Sequence, residues 1–194
     1  GRRSGGDPVV RIRPHAFKVL VPEPLVGGLL GNRQGTGTQK EEIQSDTGAR
    51  LTLSNRDDHY PNSRLRIIIV HSDEPQQVMQ ALGRLVEKTV ECAQSEREHT
   101  RGHGEPEFLG RRTGEVVFRV AVPRALSEAI VGHDGMCLGH LGHETGAEVI
   151  PDRESFAGHL MLRILGTPGT VLIVLEKLLM VVDRSAGQEA FLSW

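Results

Sequence analysis

The sequence predicts an α+β chain of two tandem units, each a three-stranded antiparallel sheet backed by three helices in the order β-α-α-β-β-α. Three observations predict it. The stretch from Phe17 to Gly48 is nearly repeated from Phe118 to Gly146, with an apolar run, Val-Pro, a small-residue helix, a Gly-rich loop and a polar helix ending in Thr-Gly-Ala. The copies lie about 100 residues apart, too far for a solenoid repeat. Each copy is followed by two short β-rich runs and an amphipathic helix. The 194 residues fit two small domains, each large enough to fold around its own core.

Residues 1–14 hold Arg2, Arg3, Arg11 and Arg13 among Gly, Ser and Pro, and read as a flexible basic arm before a first unit at 15–93. Phe17 to Val21 alternates and is rich in β-formers, so it is a strand. Pro22 and Pro24 end it, and Pro24 suits a helical first turn. Leu25 to Leu30 is a short helix stopped by Gly31. Thr38 to Asp46 is a second helix, closed by Gly48 as its C-terminal cap. Arg50 to Ser54 is a strand with Leu51 and Leu53 on one face. A polar loop, Asn55 to Ser63, leads to the apolar strand Leu65 to Val70. From Asp73 to about Ala93, Val78, Leu82, Leu85, Val86 and Val90 recur at helical spacing.

Residues 94–114 lack periodicity and read as a linker, with residual helix up to Glu98 as the alternative for its first residues. The second unit spans 115–183 and repeats the order. It has a strand Val116 to Val122, a helix Arg124 to Val131, the loop Gly132 to Gly135 and a helix Met136 to Glu144. A strand Ala147 to Ile150, a loop Pro151 to Gly158, a strand His159 to Leu165 and a helix from Pro168 to about Asp183 follow, with a tail at 184–194.

Formal net charge is −2, which argues against a generic nucleic-acid sponge. Residues 9–93 carry 11 Lys/Arg against 10 Asp/Glu, a net of +1, whereas residues 115–183 carry 5 against 9, a net of −4. The first unit is therefore the better partner for phosphates. No run of about 18 apolar residues predicts a membrane span. The start lacks the apolar stretch of a secretory signal and a first Met, which suggests a piece of a longer protein. Cys92 and Cys137 show no metal spacing and read as reduced residues of an intracellular protein.

These residues resemble the type I KH domains of the Nova and poly(C)-binding families, hnRNP K among them. The likeness rests on Phe17 to Pro22, Gly27 with Leu29-Leu30-Gly31, Thr47-Gly48-Ala49, and the loop Asp58-His59-Tyr60-Pro61 followed by Arg66. It covers both repeats and implies binding of single-stranded RNA with pyrimidine-rich or CA-containing cores. The partner is then RNA, with no cofactor, in splicing or mRNA regulation in the nucleus, the cytoplasm or both. It also implies a Gly-loop clamp on about four nucleotides and dimerisation with another copy or another protein through strand and last-helix surfaces. By resemblance the interface is Gly27, Leu30, the loop Gly31-Asn32-Arg33-Gln34-Gly35-Thr36-Gly37, Lys40, Gln44, Leu53, Asn55 and Arg66. The second unit contributes Gly132, His133, Asp134 and Gly135.

The first unit departs from the family in two places. Gly31 precedes Gly37 by six residues where the family has three, which either widens the clamp or abolishes it. Lys40 replaces an apolar residue and either reaches for phosphate or weakens the core. Arg66 matches the family's base-reading Arg; the alternative is a salt bridge to Asp57 or Asp58. In the second unit Asp134 repels phosphate, Leu160 stands at the reading position, and Pro151 is expected to cut the groove wall short. That unit therefore reads as a weak binder or a protein-interaction module, and a scaffold with two degenerate grooves is the rival for the whole chain.

No catalytic constellation stands out. The Gly31 to Gly37 loop lacks the Gly-Lys-Ser/Thr ending of a P-loop. His140 and His143 share a helix face without an evident third ligand, so no metal site is expected.

Overall fold

A computed structural model describes residues 13–31, 37–99, 105–126 and 136–184, the side chains of Met136 to Leu138 and Arg184 excepted. The first half contains β1 (His15–Val21), α1 (Glu23–Leu30), α2 (Gln39–Thr47), β2 (Arg50–Leu53), β3 (Arg66–Ser72) and α3 (Pro75–His99). The second contains β4 (Val116–Pro123), a 3₁₀ turn (Arg124–Leu126), α4 (Met136–Thr145), β5 (Glu148–Phe156), β6 (His159–Gly166) and α5 (Pro168–Arg184). The first half follows the expected order. In the second, the helix expected over Arg124 to Val131 opens as that 3₁₀ turn, and its remainder lies outside the described residues.

Local signals account for the elements. Pro24 falls in the first turn of α1. Thr38 caps α2 through a reciprocal capping box: Glu41 N–H donates to Thr38 Oγ1 at 3.2 Å, and Thr38 N–H to Glu41 Oε2 at 3.0 Å. Gly48, at φ 77°, ends that helix in the left-handed region. The long α3 buries Val78, Leu82, Leu85 and Val86 along one face. It runs on to His99, past the expected end near Ala93 and into the expected linker, and carries Glu96 on its last turns. Glu96 Oε1 accepts the Glu107 N–H at 2.6 Å, and its Oε2 accepts the N–H groups of Phe108 and Leu109 at 2.9 Å each.

The expectation of two separate three-stranded sheets is corrected. The strands form one six-stranded antiparallel sheet in the order β2-β3-β1-β4-β6-β5. The first strands of the two units pair across the seam, Lys18 with Ala121, Val19 with Val120 and Leu20 with Arg119. The physical reason is burial on both faces. From Ala16 to Val21 every residue of β1 is buried, the pattern of a central strand and not of an edge.

Helices cover one face of this sheet. α3 packs on α5, and each crosses the seam, α3 reaching β4 and α5 reaching β1. The other face carries a second core of Leu20, Tyr60, Ile67 and Ala121, with Phe156 and Met161 against it. The Tyr60 and Phe156 rings meet edge to face at 5.7 Å. Dimerisation was expected on strand and last-helix surfaces; here β1 packs on β4 and α3 on α5 between the two halves of the chain.

Pro151 does not cut its strand short. β5 continues to Phe156 with a register shift between Pro151 and Ser155. As a sheet edge, β5 tolerates a residue without an N–H. Gly83 offers a direct check on the helix packing. A Cβ there would meet only Leu172 Cδ2, at 3.9 Å, an ordinary contact. Gly83→Ala is expected to stabilise the protein by about 0.5–1 kcal/mol in chemical denaturation; a loss of stability would mean α3 and α5 approach more closely than this.

Candidate nucleic-acid interface

The sheet ends at β2, whose outer edge has no strand partner among the described residues. Leu51 N–H points outward and donates to Gln44 Oε1 at 3.0 Å. By alternation the peptide groups of Leu53 also point outward. Above this edge lies a groove of about 470 Å³. Its helix-side part has a floor of Leu30, Leu51 and Leu53 beneath Lys40 and Gln44. Leu30 is 47% exposed and adds apolar surface to this lining. Lys40 therefore lines the groove and does not enter the core.

The groove then turns around the strand. Arg50 and Thr52 lie on the sheet face opposite Leu51 and Leu53, and with Arg13 and His71 they line its other end. Among the described residues no carboxylate lines this groove. His71 is buried, and its Nδ1 accepts the Arg13 backbone N–H at 3.1 Å. Its Nε2 then carries the proton and donates to Thr52 Oγ1 at 3.1 Å. Burial pushes the imidazole below its usual value, and the nearby Arg13 and Arg50 guanidiniums add to that. A more apolar hollow of about 330 Å³ adjoins the groove, shares Thr52 and Leu53 with it, and is bounded by His59, Pro61 and Ile69.

Leu30, Lys40, Gln44 and Leu53, expected from sequence, come together here. Gly27 is exposed on α1, and its carbonyl accepts the Gly31 N–H at 2.9 Å. A Cβ at Gly27 would meet nothing within 4 Å. Gly37 closes the loop at φ 87°. Asn55 is exposed in the loop after β2, outside the groove lining. Asn32, Arg33, Gln34, Gly35 and Thr36 lie outside the described residues, as do Gly132, His133, Asp134 and Gly135.

Arg66 is placed differently from the expected base reader. It is 6% exposed. Its guanidinium donates to the Ser54 carbonyl, to Ser54 Oγ at 3.4 Å and to Glu23 Oε1 at 3.4 Å. The acidic partner is Glu23, not Asp57 or Asp58. In this arrangement the fork ties the start of β3 to the end of β2 and to α1. In the second half Leu160 is buried, and His140 Nε2 lies 3.0 Å from Glu144.

Sequence reasoning missed Arg13, Arg50, Thr52 and His71. Arg13 was assigned to the arm, and His71 lay one residue beyond the expected end of its strand. Arg50 and Thr52 were legible, because alternation against Leu51 and Leu53 puts them on the opposite face.

No family model matches the chain, and no curated protein matches it. Among solved structures, Dim2p from Pyrococcus horikoshii OT3 is similar at 16% identity over 91% of this chain and 95% of that one, with a TM-score of 0.29. The a/eIF2alpha–aDim2p–rRNA complex from the same organism contains a chain similar at 15% identity, over 91% and 89%, with a TM-score of 0.29. A structure described as KH domains is similar at 11% identity over 89% of this chain and 66% of that one, with a TM-score of 0.35. None of these superpositions is close enough to carry the fold, which rests on the strand order and registers above.

Proposed function

We propose that the chain is a KH-type single-stranded RNA-binding protein that works mainly through the groove of its first half. The observation that carries this reading is the leucine floor beside an open strand edge, with Lys40 and Gln44 above it. Unstacked bases lie on Leu30 and Leu53. The outward peptide groups of Leu53 offer a donor and an acceptor to a base edge. The Gln44 amide nitrogen donates alongside them, and Lys40 meets a phosphate. The Gly31 to Gly37 loop serves as the backbone clamp. The pyrimidine-rich or CA preference, the role in splicing or mRNA regulation, the place in nucleus or cytoplasm and the non-enzymatic character come from the family resemblance and belong to this proposal.

The second half serves as scaffold. Phe156 packs on Tyr60, and Glu154 Oε2 accepts from Asn62 Nδ2 at 3.4 Å. It thereby holds the loop that flanks the groove.

Titration of the intact chain with a pyrimidine-rich single strand, against a scrambled purine control and across salt concentrations, tests the reading. Binding is expected to favour the pyrimidine strand and to weaken with salt. Lys40→Ala is expected to reduce the slope of log affinity against log salt by about 0.7, the single-strand value per phosphate contact. No binding to either strand would favour a protein-interaction scaffold.

A further inference from the structure

We infer that the groove continues past the strand edge into a phosphodiester subsite made by Arg13 and Arg50, with the Thr52 hydroxyl as a third donor. It holds the RNA strand where it leaves the helix-side part. This inference rests on the RNA-binding reading above and extends the bound tract beyond the about four nucleotides of a KH clamp.

Three features carry it. First, the two parts form one cavity: Leu51 and Leu53 line it on the helix side of β2, and Arg50 and Thr52 on the opposite side. A strand leaving the leucine floor therefore passes over the edge toward Arg50. Second, Arg13 and Arg50 both line this cavity, and none of the described residues in its lining is a carboxylate. Arg50 makes no ion pair or side-chain hydrogen bond among the described residues. Arg13 is oriented by Asp73, whose Oδ2 lies 3.1 Å from Nη1, and the rest of its fork keeps donors for a second anion. Third, the hydroxyl is aimed by what lies beneath it. Both ring nitrogens of His71 are committed, Nδ1 to the Arg13 backbone and Nε2 to Thr52 Oγ1. Thr52 accepts from the ring, so its own proton is available to donate into the cavity. A phosphodiester of the strand already in the groove reaches this place without a second ligand.

The test uses the intact chain, a four-nucleotide and an eight-nucleotide pyrimidine RNA, and the variants Arg13→Gln, Arg50→Gln and both together. The double variant is expected to weaken the octamer by about tenfold and to make its salt slope shallower by about 1.4, two contacts' worth, with the tetramer changed by less than about twofold. Replacing phosphates of the octamer one at a time by neutral methylphosphonate is expected to find one linkage whose loss weakens the wild type and not the double variant. The wild-type half of this second arm needs no substitution. Equal weakening of tetramer and octamer would assign the arginines a general field effect and overturn the subsite. So would an octamer indifferent to both substitutions and every methylphosphonate, or inorganic phosphate that competes with both RNAs alike. A wild type that binds neither RNA overturns the RNA-binding reading itself and the subsite with it, whereas selective binding with unaffected variants sinks the subsite alone.

Discussion

A chain cut after His99 is expected to lose the native fold of its first half, although that half contains a full β-α-α-β-β-α set. The cut uncovers the β1 edge that pairs with β4, the face of α3 that packs on α5, and the second core. Leu20 and Tyr60, each 1% exposed in the whole chain, lose Ala121, Met161 and Phe156 as cover. Each such side chain is worth about 1.5–3 kcal/mol when fully buried, a large share of the about 5–15 kcal/mol that holds a domain together. The measurement is chemical denaturation and dye binding of residues 13–99 beside the intact chain. The expected result is a broad, early transition with exposed apolar surface. A cooperative transition at nearly the full-length midpoint would show that the halves are independent and the seam incidental. Comparing RNA affinity of half and whole therefore mixes folding with binding; substitutions in the intact chain separate them.

The elements were readable because their signals are local. Pro22 and Pro24, Gly31, Gly48 and the alternation of Phe17 to Val21 mark boundaries within a few residues of the observed ones. The seam was not readable. Which strand closes the exposed edge of another is a long-range choice, and the Val-rich runs of β1 and β4 would suit an edge beside a helix as well as a partner strand. The same limit hid the subsite end of the groove. Arg50 and Arg13 are 37 residues apart in sequence, and only β3, ending at His71 and Ser72, brings them to one rim. Arg66 shows the converse: a motif match gives a position, while the orientation of its fork depends on Glu23 and Ser54, which belong to other elements.

Stability is expected to rise from pH 7 to 9, and Lys18→Met is expected to flatten that rise. Lys18 is 1% exposed in β1, a central strand of the joined sheet. Its Nζ lies 2.8 Å from His159 Nε2, and His159 is itself 0% exposed. His159 Nδ1 donates to the Ala157 carbonyl at 2.8 Å, so Nε2 is the acceptor and the ammonium donates across the seam. Burial lowers Lys18 from 10.5 to about 7. Burial, and then the Lys18 charge, lower His159 from 6.5 to about 4. A lysine depressed in the fold binds fewer protons there than in the unfolded chain between those two values. Its contribution to stability is thus greatest above 10.5 and is lost as pH falls through 7. His159 has the same sign lower down: its contribution is present above 6.5 and lost as pH falls through 4. Two groups act against the lysine at high pH. Burial raises the Cys92 thiol above its usual 9.0, and burial with Asp152 raises Tyr60 from 10.0 to about 12, so both lose stability as pH rises. The clean window is therefore pH 7 to 9, below the ordinary thiol value. Denaturation midpoints across it should climb in the wild type and stay level in Lys18→Met, whatever the variant's absolute stability after losing the bond to His159. Parallel profiles for the two proteins would show that Lys18 keeps its proton in the folded state and that its charge is compensated at the seam.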